Sequence, residues 1–277
     1  MSYTVRRLQV DLETPWPRHW AGDAFRSAWF NALSFSFPAG EQLFIDAVKM
    51  GLGRLDDAGR AQFADEVQGF IGQEATHRRI HQRFNAQLEA QGYVNHWEGR
   101  IGHRMATQLA GQDPRAWLGV TAATEHFTAL FAEWLLTEPA VLADAEPRLR
   151  DLWLWHASEE SEHRSTAFDL YRALGGNEVW RRRLYLTISL HFFSDLARQT
   201  LHNLWRDGHW WRPATWAGAW RLTFGRHGLV RHAWRPWRRY LTADFHPSEG
   251  DGAPAAAWLA AHGDLAPPVQ RGHAPPG

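Results

Sequence analysis

Residues 73–77, Gln73-Glu74-Ala75-Thr76-His77, and residues 159–163, Glu159-Glu160-Ser161-Glu162-His163, carry the pattern that decides the fold. Each places a Glu three residues ahead of a His inside a long segment of helical periodicity. Residues i and i+3 share a helix face, so each stretch aims one carboxylate and one imidazole at the same point. A single Glu-x-x-His is common on solvated helix faces. Here each is preceded by a helical segment with a lone inward Glu, Glu41 and then Glu125. Chain order Glu, Glu-x-x-His, Glu, Glu-x-x-His is the order in which a four-helix bundle assembles a two-metal carboxylate site.

The neighbouring sequence supports that order. Pro38 suits a helix start, and the helix it opens carries Glu41, Phe44, Ile45 and Val48 on one stripe up to Gly51 and Gly53. Asp56 and Asp57 can cap the next helix, which runs to about Gly92 with Phe63, Val67, Phe70, Glu74, His77, His81, Phe84 and Leu88 on one face. Residues 92–112 read as the long crossover of a ferritin-like bundle. Asp113-Pro114 starts a third helix to about Thr137, with Val120, Thr121, Thr124, Glu125, Thr128 and Phe131 inward. The fourth, about Arg148 to Leu174, turns Leu152, His156, Glu159, Glu160, His163, Ala167 and Leu170 inward before Gly175-Gly176 stops it. A fifth helix spans Asn177 to Trp205 with Leu186, Leu190, Phe193 and Leu196 among its apolar positions. The fold class is all-α, a ferritin-like four-helix bundle with extra C-terminal helices. Residues 1–247 form a single domain, with the core bundle at about 38–174 and accessory helices at about 177–241. Residues 248–277, rich in Gly, Pro and Ala, read as a flexible tail.

Four inward carboxylates, Glu41, Glu74, Glu125 and Glu160, would be costly to bury ionised and alone. Two divalent cations remove that cost, with His77 and His163 as neutral nitrogen ligands. Oxygen and nitrogen donors with open positions suit iron or manganese better than zinc. The expected cofactors are therefore two metal ions, iron first and manganese second. Glu41 is the weakest of the six on local grounds, because Gly40-Glu41-Gln42 also fits an exposed first turn. His81 and His156 extend the same faces, either as an additional ligand or as partners orienting a carboxylate. Glu159 replaces Glu160 if the helix rotates slightly, although only Glu160 is three residues from His163. His191 and Asp195, four apart, could cover the site or form an ordinary helical pair. Glu162 and His126 fall off the stripe.

The rest of the composition narrows the class. The 277 residues carry 30 Lys plus Arg against 30 Asp plus Glu, so no global field draws the chain to nucleic acid. Lys49 is the single lysine, and the absence of cysteine removes disulfides, thiolate metal sites and thiol nucleophiles. The first residues do not read as a signal peptide and no stretch reaches about 18 apolar residues, so a cytoplasmic location is expected. Residues 205–240 are dominated by Trp and Arg, with Asp207 the one acid, and should form one or two short helices. The first reading of this region packs its rings on the bundle. The second is contact with a membrane surface or an apolar partner.

Several segments together resemble the bacterial family of predicted metal-dependent hydrolases. They are Pro38-Ala39-Gly40-Glu41-Gln42-Leu43-Phe44, Phe70 to His77, Thr124-Glu125-His126, Trp155 to His163 and Asp244-Phe245-His246-Pro247. The resemblance covers about residues 20–250. It implies a ferritin-like fold with metal ligands at the positions above, and it gives His246 no role. The family name implies hydrolysis, whereas the ligand set looks more like that of di-iron oxidases and oxygenases. The expected function is O2-dependent oxidation or oxygenation of a small apolar substrate, with electrons from the substrate or an external donor. The alternatives are hydrolysis by a metal-bound hydroxide and non-catalytic iron binding. A homodimer is compatible with all three.

Overall fold

The computed structural model describes residues 3–269 and is all-α. Among the described residues the only β pairing is an isolated bridge between Arg6 and Pro268. Helix α1 (Ala24–Arg54) and α2 (Asp57–Ala90) are joined by a two-residue turn and pack along their lengths. The crossover that follows contains α3 (Trp97–Arg104), which runs into a π-helical turn, Met105–Leu109. Helix α4 (Pro114–Thr137) packs on α1 and on α5 (Pro147–His163) and α6 (Thr166–Ala173). Helix α7 (Glu178–Arg206) lies on α1 and α4. Helices α8 (Pro213–Phe224), α9 (Leu229–Arg239) and α10 (Ala253–Ala261) complete the chain.

Helix starts follow their caps. Asp23, Asp56, Asp113 and Asn177 each accept a backbone N–H of the first turn at 2.8 Å, satisfying donors that have no partner within the helix. Asp23 therefore starts α1 fourteen residues or so before the expected start, and Pro38 lies inside it. A proline there cannot bond the carbonyl of residue 34. Asn85 of α2 does so instead, donating to the Ser34 carbonyl at 2.9 Å, and Asn95 donates to the Phe35 carbonyl at 3.0 Å. Side chains from elsewhere in the chain thus repair the break.

Four other features differ from or extend the sequence reading. The fourth helix is interrupted at Arg164-Ser165, directly after His163. The crossover is largely helical. On α7 the apolar positions Leu186, Leu190 and Phe193 are exposed, and only Leu196 of the four is buried. Its inner face buries Tyr185, Phe192, Leu196 and Leu204 and adds directed polar contacts: Arg181 donates to the carbonyls of Tyr240 and Thr242, Gln199 to Val94 and Asn203 to Ala28. The segment expected as a flexible tail holds a 3-10 turn, Pro247–Glu249, and α10, whose Ala255 and Leu259 are buried against α4 and α5. Its last part, residues 270–277, lies outside the described residues.

The core is aromatic. Trp20, Phe30 and Trp153 pack together beside Phe84 and Phe37, forming an apolar block adjoining the buried histidines. No helix is long and apolar enough to cross a membrane, among the described residues.

Candidate metal centre

Glu41 on α1, Glu74 and His77 on α2, Glu125 on α4, and Glu160 and His163 on α5 are all buried and converge in the bundle. Ligand atoms of Glu74, His77, Glu160 and His163 lie within 4.8 Å of one another, as do those of Glu41, His77 and His156. Glu160 is the hub. Its Oε1 is 2.9 Å from His156 Nε2, 3.4 Å from His77 Nδ1 and 3.9 Å from His163 Nε2. His163 also stands 3.1 Å from Glu125 and 3.3 Å from Glu74. These buried His and Glu groups can hold metal ions.

The hydrogen-bond inventory separates two kinds of residue. Both oxygens of Glu41, both of Glu74, Oε1 of Glu125, Oε2 of Glu160, Nδ1 of His77 and Nε2 of His163 are buried without a hydrogen-bond partner. Buried polar atoms are almost always paired, so a cluster with this many unpaired ligand atoms is able to hold a cation. Glu159, His81 and His156 have every such atom bonded. His77 Nε2 donates to Glu159 at 3.0 Å, and Glu159 is held at 3.1 Å by Arg6. That contact orients the His77 ring and turns its Nδ1 to the cluster.

A second chain ends on Glu160. Asn85 gives its N–H to the Ser34 carbonyl, so its oxygen must accept the Ser34 hydroxyl at 2.6 Å. Ser34 Oγ must then accept from His81 Nδ1 at 2.8 Å, leaving His81 Nε2 to accept from His156 Nδ1 at 2.8 Å. A neutral His156 so placed turns the Nε2 lone pair to Glu160, 2.9 Å away, and Glu41, 3.8 Å away. Only a shared proton or a metal ion makes that approach favourable.

Electrostatics agree with the geometry. Burial pushes Glu41 and Glu74 well above the usual carboxylate range, with Glu160 adding to both. Burial likewise raises Glu125 to about 7, although His163 opposes it. Burial acts the same way on Glu160, but His163, His156 and His77 outweigh it and hold the group well below its ordinary value. In His77 burial disfavours the charged ring, yet Glu159 and Glu160 raise it to about 10. Burial lowers His156 to about 4 and takes His81 well below its ordinary value.

The chain matches the model of the family described as predicted metal-dependent hydrolase over residues 4–251. It belongs to that family. No curated protein and no solved structure matches the chain. In this member of the metal-dependent hydrolase family, a cavity of about 300 Å3 reaches the cluster at Glu41 and Glu160. Its surface is mainly apolar, from Phe37, Phe44, Trp97, Ile101, Leu184 and Ile188, with Arg104, Gln108 and Gln112 among the polar groups. The π-helical turn supplies Met105 and Leu109 to the wall.

Other singled-out residues fall elsewhere. His191 lines this cavity and belongs to none of the ligand clusters, while Asp195 pairs with Arg100 and Arg104 and not with His191. His126, expected off the stripe, is buried; its Nε2 lies 3.2 Å from the Pro236 carbonyl and its ring against Tyr240 and Phe245. His246 bonds Asp169 at 2.8 Å. The N-terminal arm was missed. Tyr3 lies against Gly69, where an added Cβ would come 2.8 Å from the Tyr3 nitrogen, and Val5 lies against Gly72. The arm thereby brings Arg6 to Glu159 and Glu162, and the Tyr3 ring edge-on to His163. The only sequence signal is the pair of glycines on one helix face.

Proposed function

We propose that the chain is a di-metal carboxylate enzyme that oxidises or oxygenates an apolar organic substrate. Glu41, Glu74, His77, Glu125, Glu160 and His163 would hold the two ions, with Glu160 between the imidazoles of His77, His156 and His163. The observation that carries this is that each of these six residues, and not the bonded Glu159 or His81, has a buried atom without a partner facing the cluster. The lone pair on His156 Nε2 makes it the additional ligand, with His81 orienting it. When bound, an iron pair supplies the redox chemistry with O2 that hydroxylates, desaturates or N-oxygenates a substrate. The chain's own residues do the rest. Arg6 and Glu159 hold His77 in one orientation, and Asn85, Ser34 and His81 do the same for His156. Phe37, Trp97 and Ile101 exclude water and present an apolar substrate to the Glu41 and Glu160 side.

The family description favours a second reading, hydrolysis assisted by the metals. The two separate on one comparison: iron-loaded protein supplied with reductant, assayed for O2 uptake, and the same protein assayed anaerobically on ester and phosphoester substrates. We expect O2 uptake above that of free iron and no anaerobic turnover. Ester or phosphoester turnover that persists without O2, together with no uptake, would assign the site to hydrolysis.

The raised carboxylates also fix a pH dependence. In the metal-free centre Glu41, Glu74 and Glu125 hold protons above the usual carboxylate range, Glu125 up to about 7, and His77 holds one up to about 10. A metal must displace these protons, so binding releases them and affinity rises with pH through this window. Calorimetric titration at pH 6 and pH 8, in buffers of different ionisation enthalpy, should show proton release and tighter binding at pH 8. Binding that is independent of both pH and buffer would contradict the assignment.

A further inference from the structure

The face that α7, α8 and α9 turn to solvent is apolar and basic at once. On α7, Leu186, Leu190, Phe193 and Leu201 fall on one stripe and are exposed, Leu190 at 70 %. Trp216 and Trp220 project from α8 and Trp234 from α9, with Trp220 65 % exposed. The three helices adjoin. Helix α8 packs on α9, and Trp237 of α9 donates to Ser189 of α7 at 3.3 Å while stacking on Trp234. Large exposed apolar side chains on three consecutive helices point to an interaction surface.

Charge says what kind of partner fits. From Val179 to Ala243 the chain has twelve arginines and two acids, Asp195 and Asp207. Both acids are already used: Asp195 is buried between Arg100 and Arg104, and Asp207 faces Arg18 and His19. Arg212, Arg221, Arg226, Arg231, Arg235 and Arg238 are exposed, and none makes an ion pair among the described residues. Arg212 lies over Trp211 at 5.5 Å and Arg238 over Trp234 at 5.7 Å. Aromatic rings interleaved with guanidinium groups match a bilayer boundary, where rings sit among headgroups and cations meet lipid phosphates. A second copy of the same face would bring like charges together.

We propose that this face docks on a bilayer surface carrying anionic lipids. The inference does not depend on the reaction at the metal centre. It is tested by co-sedimenting the full-length protein with vesicles of phosphatidylcholine alone or mixed equally with phosphatidylglycerol, and by tryptophan quenching with brominated acyl chains. Strong binding to the mixed vesicles, weak binding to phosphatidylcholine, and quenching are expected. The double variant Trp216→Ser/Trp220→Ser, both exposed, should weaken binding by about tenfold or more with circular dichroism and metal content unchanged. Arg231→Glu/Arg235→Glu should weaken it without removing apolar surface. No binding to the mixed vesicles, or binding that neither variant changes, would overturn the proposal. So would a dimer in sedimentation equilibrium that the tryptophan variant dissolves, because the face would then be a contact between copies.

Discussion

Glu160→Ala is expected to empty both metal positions, whereas Glu159→Ala on the same turn leaves the stoichiometry intact. Glu160 approaches His156, His77 and His163 from the middle of the cluster, so removing it takes away the one carboxylate that faces all three imidazoles. Glu159 touches only His77 and Arg6. Loss of such an orienting partner lowers metal affinity by about 10–100-fold without removing a ligand. Metal analysis after reconstitution reads the difference directly, with circular dichroism confirming that both variants fold. A Glu160→Ala chain that keeps its full complement of metal, or a Glu159→Ala chain that loses it, would reverse the assignment of the two neighbours.

Asn85→Leu is expected to destabilise the chain by about 1–3 kcal/mol, the cost of leaving a buried backbone carbonyl unpaired. The reason lies in α1. Pro38 has no N–H for the Ser34 carbonyl, and Asn85 supplies the missing donor from α2. The explanation makes a coupled prediction. In a Pro38→Ala background the alanine N–H can bond Ser34 in the ordinary helical way, so Asn85→Leu should cost about 1 kcal/mol less there. Denaturant unfolding of the four chains measures the cycle. Additive effects would mean that Asn85 does not repair the proline break. Part of the Asn85 penalty remains in either background, because Ser34 Oγ also loses its acceptor.

The Pro38 example shows why some of the fold was legible in the sequence and some was not. Glu74, His77, Glu160 and His163 could be placed because a helix face is a local property and apolar neighbours mark which face is inward. Glu41 and Glu125 followed from the charge that four buried carboxylates would leave unbalanced. Asn85 and Pro38 are 47 positions apart, so local rules read the proline as a helix start. The inner face of α7 likewise depends on distant segments. Leu186, Leu190 and Phe193 are apolar yet exposed, while the buried face carries Tyr185, Phe192 and Leu196 together with Arg181, Gln199 and Asn203, which reach carbonyls of distant segments. Arg6 joined the site through contact of the first residues with Gly69 and Gly72, which no periodicity reports. The cut between α5 and α6 at Arg164-Ser165 carries neither proline nor glycine to announce it.

The N-terminal arm and the two imidazole chains suggest how the centre keeps its shape. Glu159 holds one nitrogen of His77 while the other faces the cluster, and His81 holds one nitrogen of His156 in the same way. Each chain runs outward to a group fixed by the fold, Arg6 in one case and Asn85 in the other. Positions of this kind decide ligand orientation without touching a metal.

We propose that six side chains form a site for two metal ions. The most direct test is the metal content of the full-length protein after anaerobic reconstitution with ferrous iron and removal of loosely bound ions. About two iron atoms per chain are expected, falling to none in Glu160→Ala. A wild-type chain that retains no metal, or one whose content is the same in Glu160→Ala, would contradict the proposal.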